Sequence, residues 1–151
     1  MEFIINKHIN KNLFFTSDIN YVIKNSDIIF ICVNTPTKDF GIGCSKATDL
    51  SFVEECFTQI LNYSENDKVI VQKSTVPVGT CENLFKISKK LNKENNFCLI
   101  SSPEFLAEGS AVMDLINPNR VLLGLADGTI QKKSLFFFKS ALNVLYRIYL
   151  K

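Results

Sequence analysis

The chain of 151 residues has no continuous apolar run near the ~18 residues that a membrane-spanning helix requires. Its first residues, Met1 to His8, lack the charged-then-apolar layout of a signal peptide, so the expected location is the cytoplasm. An excess of one charge is also missing. Lys and Arg number 17 against 15 Asp and Glu, and the lysines are dispersed, which argues against a nucleic-acid partner. There is no CxxC spacing. Five cysteines, Cys32, Cys44, Cys56, Cys81 and Cys98, are an odd number at irregular intervals, so neither a disulfide framework nor a metal site is expected. Cys32 and Cys98 lie inside apolar runs and read as small buried hydrophobes. The single histidine, His8, has no visible partner and is given no role. A G-x-G-x-x-G turn is absent: Gly41-Ile42-Gly43 lacks both a third glycine and a helix opening on it. No P-loop, H-E-x-x-H or internal repeat is present either.

What is present is enough apolar residue, 46%, to bury a core at ordinary charge content. The Asn- and Lys-rich residues 1–12 read as poorly ordered, and Leu13 to Thr16 as a short strand. Ser17 or Asp18 can cap a helix through Lys24 that puts Ile19, Val22 and Ile23 on one face. Ile28 to Val33 is an unbroken β-branched and aromatic run, the pattern of a strand buried on both faces in a parallel sheet. A long loop follows, Asn34 to Ala47. Ser51-x-x-Glu54 matches a capping box, and Leu50, Val53, Phe57, Ile60 and Leu61 recur at helical spacing. Lys68 to Lys73 is a strand, with Pro77 placed for a first helical turn. Thr80 to Leu91 is a helix, with Leu84, Phe85, Ile87 and Leu91 inward, and Phe97 to Ile100 another strand. Ala111 to Leu115 suits a helical turn, Arg120 to Gly124 a strand, and Ile130 to Leu150 a long amphipathic helix. Alternating strands and helices imply an α/β fold with a mostly parallel sheet, whose ligand lies at the carboxyl ends of the strands.

Three strands end in small polar residues, proline or carboxylates. Val33-Asn34-Thr35-Pro36-Thr37 offers backbone N–H groups, hydroxyls and an amide, suited to a nucleotide or to purely local loop bonds. Lys73-Ser74-Thr75-Val76-Pro77 opens a helix whose N–H groups favour an anion, or else Ser74 or Thr75 is simply an N-cap. In Ser102-Pro103-Glu104-Phe105-Leu106-Ala107-Glu108-Gly109 the two acids stand at i and i+4, so a helical turn would set them on one face as candidate bases or as solvated acids.

These segments, with Asn117-Pro118-Asn119-Arg120-Val121-Leu122-Leu123-Gly124, resemble the nucleotide-sugar dehydrogenases, the UDP-glucose/GDP-mannose dehydrogenase family, over about residues 12–125. The phrase Phe105-Leu106-Ala107 and the pair Asn34-Thr35 resemble its UDP-glucose branch more than its GDP-mannose branch. The resemblance implies NAD-dependent, two-step oxidation of UDP-glucose to UDP-glucuronate in a homo-oligomer. It implies Glu104 as acid–base group and Thr75 near the reacting centre. Val33, Asn34, Thr35, Pro36, Thr37, Ser74 and Glu108 match positions that line the NAD site. Glu104, Phe105, Leu106, Ala107 and Glu108 match the run that contacts the nucleotide sugar. Ser102 departs from the family's asparagine and implies a less fixed turn.

The implied fold is a Rossmann-like parallel sheet flanked by helices, incomplete because its first βαβ unit is missing, and ending in a long amphipathic helix. Residues 1–128 form the partial NAD-binding domain and 129–151 the start of the connecting helix, with the substrate domain absent. None of the five cysteines matches the family's nucleophile, so the chain is expected to be a fragment inactive alone. In the order 3-2-1-4-5-6 the missing strands are central, so the strand Ile28 to Val33 is expected to expose an edge and the chain to be marginally stable or self-associating. The competing readings are a non-catalytic assembly module derived from the family and a GDP-mannose-type enzyme.

Overall fold

The structure is a computed structural model that describes residues 2–94 and 96–125. The strands β1 (Ile28–Ile31), β2 (Lys68–Gln72), β3 (Phe97–Ser101) and β4 (Gly124–Leu125) form one sheet in the order β1-β2-β3-β4. β1, β2 and β3 run parallel, with Ile28 opposite Val69 and Val69 opposite Cys98; β4 is antiparallel to β3. All five residues of the central β2 are buried, as its near-continuous apolar run requires. The helices are α1 (Glu2–His8), α2 (Ile19–Asn25), α3 (Ser51–Tyr63), α4 (Thr80–Lys90) and α5 (Ala111–Ile116).

One core joins a sheet face to α2, α3 and α4. Val53, Phe57, Ile60 and Leu61 of α3 and Leu84 of α4 pack with Ile31, Ile70, Phe97 and Leu99. Phe57 meets Phe97 edge-on at 5.3 Å between ring centroids, and Phe85 meets the same ring at 6.3 Å. The other face gathers Val69, Val71, Cys98, Ile100 and Leu123. Strand alternation explains the division, since neighbours along β2 and β3 point to opposite faces.

Several local expectations change. Residues 2–8 are helical rather than disordered, and Leu13 makes only an isolated bridge with Ile9 before an irregular stretch. Asp18 caps α2, accepting from Tyr21 N at 3.0 Å, yet only Ile23 of its apolar face is buried. β1 stops at Ile31 and is not buried on both faces: it lies at the sheet margin among the described residues, with Phe30 half exposed. Cys32 is exposed, while Cys98 is buried. The capping box does not form. Leu50 occupies the N-cap position, and Asp49 Oδ1 accepts from Ser51 N at 2.9 Å instead. Asp49 is anchored in turn by its own N–H to Pro36 O, so the long loop consumes the residue pattern that mimicked a cap.

Pro77 lies outside α4, whose N-cap is Gly79, and Leu91 at the far end is exposed. The strand expected over Arg120 to Gly124 is only the two residues of β4. The Ile130 to Leu150 helix and the division at 128 and 129 lie outside the described residues. Among the described residues no helix is long and apolar enough to cross a membrane.

Candidate functional site

Parallel pairing brings the carboxyl ends of β1 and β2 side by side, and the chain leaves both through irregular loops. Two hydroxyls stitch these loops together. Ser74 Oγ donates to Val33 O at 2.7 Å, with Ile31 O 3.3 Å away. Thr35 Oγ1 donates to Thr75 O at 2.9 Å. The third strand end is tied in through Gln72, which is 1% exposed. Its Nε2 donates to Ser74 O at 2.9 Å, and its backbone oxygen accepts from Ser102 N at 2.9 Å. That last bond is made by the main chain, so the smaller side chain of Ser102 does not free the start of the acidic segment.

Between the loops lies a cavity of about 230 Å³ lined by Cys32, Val33, Asn34, Thr35, Lys73, Ser74, Thr75 and Glu104. Six residues singled out in the sequence therefore meet: Val33, Asn34, Thr35, Ser74, Thr75 and Glu104. Pro36 and Thr37 turn away into a closed loop, where Pro36 O accepts from Asp49 N at 2.7 Å and Thr37 bridges Thr48. Gly43 closes that loop with φ at +86°, and a Cβ there would stand 2.7 Å from the Ala47 Cβ. Neither Ser74 nor Thr75 caps a helix.

Glu108, Phe105, Leu106 and Ala107 are exposed and outside the cavity lining. The spacing argument for the two acids fails, because residues 102–107 form no helical turn. The chain leaves β3 tied from Ser102 N to Gln72 O, and Pro103 keeps Ser102 itself out of a helical conformation. Glu108 instead enters a turn at Gly109, whose φ is +86°. Asp114 of α5 clasps this turn: its Oδ2 accepts from Ala107 N at 3.0 Å and from Ser110 Oγ at 2.8 Å. Those two donors hold the Asp114 carboxyl below its ordinary pKa. The Arg120 guanidinium lies 4.2 Å over the Phe105 ring.

Two lining residues were not legible as such. Cys32 follows an apolar run that suggested burial, but the strand ends one residue earlier and leaves it at the cavity. Partial burial raises the Cys32 thiol above its ordinary pKa; Lys73 opposes this and Glu104 adds to it. A thiol kept protonated at neutral pH is a poor nucleophile. Lys73 carried one available signal, a cation directly after the last residue of a buried strand. Among the described residues no group of three metal-ligating side chains is assembled.

The family model for the UDP-glucose/GDP-mannose dehydrogenase family, NAD binding domain, matches residues 1–149. The chain belongs to this family. UDP-glucose 6-dehydrogenase 4 of Arabidopsis thaliana is 49% identical over 114 residues, which is 76% of this chain and 24% of that protein. The UDP-glucose 6-dehydrogenase of Bos taurus is 48% identical over 115 residues, 76% of this chain and 23% of its own length. The chain thus spans about a quarter of the length of these relatives. Among solved structures, a UDP-glucose dehydrogenase from Pyrobaculum islandicum superposes with a TM-score of 0.75 at 26% identity, covering 97% of this chain and 32% of that one. A GDP-mannose dehydrogenase from Pseudomonas aeruginosa does so with a TM-score of 0.73 at 26% identity, over 88% of this chain and 30% of that one. Membership accounts for the mostly parallel sheet and for a polar cavity at its strand ends.

Proposed function

We propose that the chain supplies part of the nicotinamide-nucleotide and sugar site of a UDP-glucose 6-dehydrogenase. The observation that carries the reading is the cavity that gathers Asn34, Thr35, Ser74, Thr75 and Glu104 at two adjacent strand ends. The identity to UDP-glucose 6-dehydrogenases supports that branch of the family. The polar set suits the nicotinamide-ribose part of NAD: an amide, hydroxyls and backbone groups. The pyrophosphate has no G-x-G-x-x-G to receive it in these 151 residues. NAD, when bound, accepts the hydride released by oxidation of the C6 alcohol.

Val33, Asn34, Thr35 and Ser74 hold the cofactor side of the cavity; Pro36 and Thr37 continue that loop beyond the lining, and Glu108 lies outside it. Glu104 takes the proton of the alcohol, as a carboxylate within reach of a hydroxyl can. Thr75, whose backbone oxygen is already bonded to Thr35, presents its hydroxyl to the reacting group or a water. Phe105, Leu106, Ala107 and Glu108 line the path of the nucleotide sugar. The whole reaction, a homo-oligomeric assembly and a cytoplasmic setting are proposed for the longer enzyme.

Amide resonances of the purified chain provide the test. NAD is expected to shift residues 33–37 and 74–75, and UDP-glucose to shift residues 104–108, with no comparable response to GDP-mannose. NADH formation from UDP-glucose is expected to be undetectable with the 151-residue chain. Equal responses to both nucleotide sugars, or shifts confined to other surfaces, would sink the assignment.

A further inference from the structure

The segment from Glu104 to Ser110 bears the proposed acid–base group, yet no strand or helix holds it. Its backbone is anchored at each end by a different device. At the front, Ser102 N donates to Gln72 O at 2.9 Å. At the back, one oxygen atom of Asp114 gathers two donors, Ala107 N at 3.0 Å and Ser110 Oγ at 2.8 Å. Ser110 N also donates to Ala107 O at 3.3 Å, which closes the same turn. Between the anchors, the Phe105 ring lies under Arg120 at 4.2 Å.

From this arrangement we propose that Asp114 is a positioning residue. Acting through Ala107, it fixes the course of residues 104–108 and so holds Glu104 at the cavity before any ligand arrives. The inference rests on the proposed function for what Glu104 does, and on geometry alone for what Asp114 does.

The chemistry favours a carboxylate at this position. A single oxygen that accepts two bonds must have two lone pairs free, and a charged acceptor binds a backbone N–H more tightly than a neutral one. The neutral amide oxygen of an Asp114→Asn variant could accept the same pair more weakly, whereas the methyl group of Asp114→Ala could accept neither. What would remain is the Ser102 anchor, the 3.3 Å bond from Ser110 N to Ala107 O and the Arg120 contact at Phe105, with the Ala107 N–H left without its acceptor. Ionisable neighbours on the same stretch are Glu108 and Arg120, and neither is bonded to the Asp114 carboxylate.

The test uses the full chain with Asp114→Ala and Asp114→Asn. The first measurement is backbone order and amide exchange for residues 104–108. Wild type is expected to be as rigid there as β3. Asp114→Ala should speed exchange of the Ala107 amide about tenfold, the loss expected for one hydrogen bond, and lower order back to Glu104. Asp114→Asn should restore most of that order, and exchange in β2 and β3 should be unchanged in both. A segment already mobile in wild type, or unchanged order at Glu104 in Asp114→Ala, would overturn the inference. The second measurement is the UDP-glucose response of residues 104–108, expected to weaken several-fold in Asp114→Ala and to recover in Asp114→Asn. If order falls as expected but wild type shows no UDP-glucose response, the positioning role stands and the proposed function fails. If UDP-glucose binds equally to all three proteins, the positioning role fails and the proposed function stands.

Discussion

Single side chains decide how the strand ends become a site. Asp114 is the clearest case for titration. Its folded pKa lies below the ordinary value, because the carboxylate accepts from Ala107 N and Ser110 Oγ. Its contribution is therefore fully present above the unfolded carboxyl pKa of about 3.9 and is lost as pH falls through the lower folded value. Chemical unfolding followed downward from about pH 5 should show an acid-side loss of stability that is smaller in Asp114→Asn.

The cysteines differ in the opposite sense. Cys98 is buried, Cys32 is exposed with a raised pKa, and Cys44 is exposed. Iodoacetamide labelling read by mass spectrometry should reach Cys44 and spare Cys98 in the folded chain. Labelling of Cys32 should rise as the buffer is made alkaline. The sequence misjudged Cys32 because hydrophobic context reports the run and not where it ends. Lys73 N and Ser74 N both donate to Ile31 O, at 2.9 and 3.1 Å, and beyond it side-chain hydroxyls rather than a strand ladder join the two chains.

Elements owe their legibility to periodicity. α3 could be read from residues recurring at helical spacing, and the structure buries Val53, Phe57, Ile60 and Leu61. Replacing Phe57 by alanine removes the edge-on contact with Phe97 and leaves a cavity, a loss of about 3–5 kcal/mol. Denaturant unfolding should show the midpoint lowered to match that loss, a large share of the usual ~5–15 kcal/mol of a domain.

What could not be read was the competition for ends. Ser51-x-x-Glu54 has the letters of a capping box, but Asp49 reaches Ser51 N first because Pro36 O holds its backbone. Ser74 and Thr75 have the letters of an N-cap, but parallel pairing puts Val33 O within reach of Ser74. Likewise Glu104 and Glu108 share a face only if a helical turn forms, and the segment that leaves the Ser102–Gln72 anchor forms none through residue 107. In each case a bond between residues far apart in sequence overrides a local preference. Glycines behave the same way. Gly43→Ala meets both a positive φ and the Ala47 side chain, whereas a Cβ at Gly109 meets nothing within 4 Å. Thermal unfolding should show Gly43→Ala as the more damaging of the two.

For the molecule as a whole, the apolar residues left on its surface are the informative feature. α5 buries none of its residues, and Val112, Met113, Leu115 and Ile116 are all exposed. Phe105, Leu106 and Leu122, near it in sequence, are exposed as well, and β1 is a sheet-margin strand among the described residues. Scattered exposed apolar residues are ordinary, but such a density within one stretch of chain favours association. Sedimentation of the purified chain should show concentration-dependent self-association, reduced by Met113→Lys with Ile116→Lys. A concentration-independent monomer would contradict this. The overall class was legible because a parallel sheet with α/β alternation sends every βα connection to the same edge, so strand ends and polar residues coincide in sequence as they do in space.

The hydroxyls that stitch the two loops have a further consequence for what the cavity can recognise. A serine or threonine hydroxyl has one proton to give and two lone pairs. Ser74 gives its proton to Val33 O and Thr35 gives its proton to Thr75 O. Toward a ligand these two groups are therefore pure acceptors. A guest bearing free hydroxyls can satisfy them, whereas the same guest methylated on those oxygens would meet lone pair against lone pair. The folding bonds of the site have thereby fixed the polarity of these two oxygens and left donation to the other polar residues of the lining.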